Sequence, residues 1–83
     1  MHAPTDAKGK DVTVGSRVRL LVAPADLLSG LPDIDQTAIM AAVGKEMMVE
    51  DFDNYGHAEL MFTDAEDKIH FIWVPPSVLE VLS

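Results

Sequence analysis

Residues 46–63 read EMMVEDFDNYGHAELMFT, and their pattern decides the fold class. On either side of residues 53–56 the apolar and polar side chains alternate, which is the period of a strand with one buried face. With residues 53–56 as a four-residue turn, Met47 faces Phe62, Val49 faces Leu60 and Asp51 faces Ala58. That register gathers apolar side chains on one side, and burial of such a side is what sets register in a hairpin. The other side then sets Met48 against Met61 and Glu50 against Glu59.

Further strands lie to both sides of this hairpin. Downstream, a polar turn leads into residues 69–74, IHFIWV, which stop at Pro75 and Pro76 because proline cannot donate to a ladder. A tight turn and a last short strand ending near Leu82 follow. Upstream, Arg17 and Arg19 alternate with Val18 and Leu20 in another half-buried strand, aimed by a turn at Gly15 and Ser16. Between Pro24 and Gly44 the pattern turns helical. Residues 25–30 hold one helical turn. Asp33 and Gln36 then have capping-box spacing, and Gly44 stands where a C′ residue is expected. The stripe of this second helix reads as Ile34, Ala38 and Ala41 or Ala42, flanked by Met40 and Val43. At that length it must dock on something to be stable. Residues 1–11, MHAPTDAKGKD, show no periodicity and read as a flexible arm, leaving 12–83 as one domain.

Eighty-three residues, 48% of them apolar, sustain a single core. There is no cysteine, which removes disulfides and thiolate metal sites. Fourteen acidic against six basic residues give a net charge of −8. That balance argues against nucleic acid, whose binding relies on Lys and Arg displacing counterions from phosphates, and against an anionic membrane surface. It suits solubility, or a basic partner. No apolar run reaches the roughly 18 residues of a membrane span, and residues 1–10 lack a signal-peptide core, so the expected place is the cytoplasm.

Three short stretches, residues 14–18 (VGSRV), 43–49 (VGKEMMV) and 73–79 (WVPPSVL), resemble strand entries and the closing turn of the SH3-like small barrels. The resemblance covers about residues 12–82 and points to small stand-alone uncharacterised bacterial proteins of that fold. It implies a mainly β protein, an SH3-like five-stranded barrel with one short α-helix inserted in the long loop after the first strand. Adaptors and accessory subunits are frequent in that group, so it also implies binding rather than chemistry. The chain departs from the peptide-binding SH3 domains. Its long loop carries no aromatic residue and its one Trp comes late, at Trp73, so no proline-peptide site is carried over.

Three constellations bear on function. Asp51, Asp53 and Gly56 begin like a calcium loop, but its fifth and twelfth places hold Tyr55 and Phe62 where an oxygen ligand and a bidentate Glu are needed. Glu50, His57, Glu59 and His70 could gather on one outer face, if Met61 pairs with His70, and hold a divalent metal through imidazole and carboxylate. The third constellation is residues 69–74, apolar on both faces apart from His70. Such excess needs a cover: the docked helix, a partner protein or a second copy. Phe52, Tyr55, Met61, Phe71 and Trp73 are the residue types that anchor interfaces. The leading expectation is a non-enzymatic interaction module or accessory subunit, with no cofactor, that binds an unidentified protein or forms a homodimer through an apolar-aromatic patch with an acidic rim. A divalent-metal domain is the alternative. Catalysis is not expected, since the serines lie in no nucleophile context and so small a domain encloses little pocket.

Overall fold

The computed structural model describes residues 4–82. It contains strands β1 (Arg17–Leu20), β2 (Glu46–Phe52), β3 (Ala58–Thr63), β4 (Ile69–Val74) and β5 (Leu79–Val81). Two helices, α1 (Ala25–Leu28) and α2 (Asp33–Ala42), lie between β1 and β2, and a 3₁₀ turn at Pro76–Val78 leads into β5. All strand pairs are antiparallel, in the order β4-β3-β2-β1-β5. The expected barrel is therefore corrected to an open sheet whose end strands, β4 and β5, do not pair with each other. Pro75 and Pro76 lack N–H groups where β4 leaves the sheet, and the three residues of β5 are all paired with β1.

Alternation along the strands builds the core. Val18, Leu20, Met47, Val49, Leu60, Phe62, Ile72, Val74 and Leu79 point to one face, and Ile39 and Ala42 of α2 and Val12 join them. Each such Val or Leu contributes about 1.5–3 kcal/mol by leaving water.

Helix α2 docks differently from its sequence pattern. Ile39 and Ala42 are buried, whereas Ile34 is 67% exposed and Met40 and Ala41 face outward. The buried stripe runs back through Asp35 and Gln36, polar residues that hid it from a hydrophobicity reading. Asp33 makes no capping bond; instead the Gln36 side-chain amide donates to the Leu31 carbonyl at 2.8 Å. At the other end Gly44 takes φ +87°, a conformation that disfavours a Cβ, and donates its N–H to the Leu20 carbonyl at 2.7 Å. This bond ties the end of α2 to β1.

Residues 4–11, expected to form a flexible arm, lie against the end of the sheet; Met1 to Ala3 of that arm lie outside the described residues. Thr5 bridges Asp11, and the Ala7 N–H donates to the Leu79 carbonyl at 2.9 Å. The carboxylate of Asp6, itself buried, accepts N–H bonds from Lys8 and Lys10, each at 2.8 Å, and from Val81 at 2.7 Å. The bond from Val81 leads the causes that hold the Asp6 carboxyl below its usual range; burial opposes it and loses.

Candidate functional site

A bulge in β2 determines what the outer face of the sheet presents. Met48 pairs with Met61 and Val49 with Leu60, as the hairpin pattern predicts, but Asp51 then pairs with Glu59 and Phe52 with Ala58. Glu50 is the extra residue. Two consecutive side chains, Glu50 and Asp51, face solvent, and the alternation resumes one place out of step. Phe52 is therefore turned to the core side, where it packs partly buried against the core cluster. That corrects its assignment to the outer patch.

Across β1, β2, β3 and β4 the outer face carries a continuous row of Arg17, Met48, Met61 and Phe71. The neighbouring row is Asp51, Glu59 and Trp73. In β4 it is His70, Ile72 and Val74 that face inward, so Ile69, Phe71 and Trp73 are left outside. Phe71 is 56% exposed and Trp73 41%. Helix α1 flanks Trp73, whose neighbours include Leu27, and Phe71 is the more open of the two. Of the residues expected in the patch, Met61, Phe71 and Trp73 meet on this face. Tyr55 is 87% exposed at the tip of the β2–β3 turn, beyond the rows.

The row continues into a groove of about 620 Å³. Ile34, Ala38 and Ala41 on the free side of α2 form one wall and the turn after β3, residues 64–66, forms another. Met47 and Phe62 line it at the end of the core, and Met48 and Met61 belong to both groove and row. So small a domain was expected to enclose little pocket; with Ile39 and Ala42 as the buried residues of α2, its Ile34, Ala38 and Ala41 are left to line one. Methionine suits such a surface because its flexible thioether adapts to different shapes. Sequence reasoning missed the α2 wall because it assigned those side chains to the core. A shallower depression of about 380 Å³ lies where Trp73 meets Leu27 of α1, Pro75 and His57.

Charges edge this surface unevenly. Arg17 reaches Glu46 at 3.4 Å and Arg19 reaches Glu80 at 3.1 Å, with Lys8 also bound to Glu80. Its bond from Lys8, more than any other contact, holds the Glu80 carboxyl below its usual range. Among the described residues, Asp51 and Glu59 make no ion pair.

The four residues considered for a metal are not brought together. Met61 pairs with Phe71, not with His70, so His70 lies on the opposite face from Glu59. Its ring stacks on Phe62 with centroids 5.0 Å apart, and its Nε2 lies 2.8 Å from the Asp64 carboxylate. His57 Nδ1 lies 3.0 Å from Asp53, whose other oxygen accepts the Tyr55 and His57 N–H groups. Both histidines thus tie turns together. Burial works to raise the Asp53 carboxyl, but those bonds outweigh it and leave it lowered. Among the described residues no three His, Asp or Glu side chains converge as metal ligands.

Asp64 is the clearest titration probe. Its bond with His70, supported by the N–H groups of Lys68 and Glu66, lowers the carboxyl from 3.8 to about 2. The stabilisation that this shift represents is complete above pH 3.8 and is lost as pH falls through about 2. Replacing His70 with Phe keeps a ring against Phe62 and removes the bond. Carboxyl ¹³C NMR should then show the Asp64 midpoint moving up toward 3.8, with the Lys68 and Glu66 bonds retaining part of the shift.

No family model, curated protein or solved structure matches this chain. Among the described residues no helix is long and apolar enough to cross a membrane.

Proposed function

We propose that this protein is a non-enzymatic interaction module whose binding surface is the outer face of the sheet together with the α2 groove. The supporting observation is the outward-facing row of Met48, Met61 and Phe71 beside Trp73, on a sheet whose edge strand β4 pairs, among the described residues, with β3 alone. Aromatic and methionine side chains contribute much of the energy of protein interfaces, and an edge strand offers backbone groups to an incoming chain. The strand order, with helices inserted between β1 and β2, supports the reading of the open sheet as SH3-like. A binding role also fits His57 and His70, each already occupied in closing a turn.

The free protein provides the test. Trp73 is the only tryptophan, so its emission reports this face alone. A red-shifted emission quenched by acrylamide, in a sample that sediments as a monomer, is the expected result. Blue-shifted, protected emission from a monomer would contradict the proposal.

A further inference from the structure

We propose that the occupant of this face is a cationic segment of a partner protein, which lays an Arg or Lys side chain over the Trp73 indole, against Glu59 and Asp51. The inference rests on the interaction reading above and adds the chemistry of the partner. Its ground is charge complementarity. Glu59 is the register partner of both Asp51 and Trp73, so two carboxylates and an exposed indole share one row with no cation among them. Like charges placed opposite each other in a strand pair are unfavourable until a counter-charge arrives. Trp is also the aromatic ring that best receives a cation.

The protein has little cationic surface of its own to offer. Of six basic residues, Arg17, Arg19, Lys8 and Lys68 are each paired with a glutamate, which leaves Lys10 and Lys45, the latter at the groove and not in the Asp51–Glu59–Trp73 row. A second copy would bring another chain of net charge −8 to this face. In a two-fold contact the same patch lies on both sides, so the Asp51 and Glu59 carboxylates of one copy would face a surface that carries the same two carboxylates. Charge therefore disfavours self-association and favours a basic partner, whose apolar side chains would cover Met48, Met61 and Phe71.

The probes are an amphipathic peptide of Leu and Arg and its counterpart with Glu at every Arg position, followed by Trp73 emission. The Arg peptide should bind saturably, and more weakly as salt rises. D51N/E59Q should weaken it about tenfold, the loss expected for a charge-assisted contact. D11N/D67N, which removes the same charge elsewhere, should change affinity less than about twofold, within the usual range for surface substitutions. An equal loss in both double variants would overturn the inference, because general acidity would then explain the binding. So would a dimer in sedimentation that protects Trp73 and is abolished by F71E, since a second copy would then be the occupant. If both peptides bind alike and F71E abolishes both, the interaction face stands and the cationic partner falls. If F71E leaves both unaffected, the interaction reading itself fails.

Discussion

Replacing Asp6 with Ala is expected to lower the unfolding free energy by about 3 kcal/mol, on the order of 15 °C in melting temperature for a domain this small. The Asp6 carboxylate satisfies three backbone N–H groups, and one of them, from Val81, belongs to the end strand β5. Hydrogen bonds to a charged acceptor contribute about 1.5–3 kcal/mol each. The sum is less than three full bonds because the Lys8 and Lys10 N–H groups lie in an exposed turn and can turn to water. Asp6→Asn should not restore the loss. Its amide can present oxygen either to the Lys8–Lys10 turn or to Val81, and the –NH₂ then meets an N–H on the other side. The native carboxyl titrates below its usual 3.8, so its contribution is present above that pH and lost as acid protonates it in the folded state. Denaturant melts of the wild type at pH 7 and pH 3 should therefore differ by more than those of the alanine variant. Domains of this length have about 4–12 kcal/mol in total, so the change is a large share.

Asp6 also marks where sequence reading reached its limit. Residues 4–11 carry no periodic signal, because their order comes from one side chain reaching a strand far along the chain, and no local pattern records that. The strands were legible because alternation is local: the pairs Met48–Met61 and Val49–Leu60 follow from it directly. One residue later the reading failed. A bulge at Glu50 has no hydrophobic signature, yet it moved Phe52 from the outer face to the core and set Asp51, not Glu50, opposite Glu59. Barrel closure failed to follow for a related reason, since it depends on how two end strands meet and not on either strand alone. In β4 the sequence left two orientations open, as both faces are apolar. The structure resolves them by burying Ile72 and Val74, which places Phe71 and Trp73 in the candidate site.

That alternation separates binding from stability. The double variant Phe71→Glu with Trp73→Ala should reduce partner affinity by about 100-fold or more, since anchors of this kind commonly contribute 2 kcal/mol or more each. Thermal stability should fall less than in a core variant, because both side chains lie on the outer face, where Trp73 has Leu27 of α1 and Pro75 of the following turn beside it. Ile72→Ala, one residue along the same strand, should do the reverse. It should cost about 2–4 kcal/mol of stability through the cavity it leaves, and spare affinity in the molecules that remain folded. Melting curves and binding isotherms on the two variants check both halves of this expectation.

The most direct test of the central claim is photo-crosslinking in living cells from a benzophenone side chain placed at position 71, compared with the same group at exposed Val14, which lies outside the sheet. A discrete adduct from position 71 that disappears with Trp73→Ala, and that is absent from position 14, is the result this account predicts. Equal adducts from both positions, or an adduct from position 71 that is indifferent to Trp73, would contradict it.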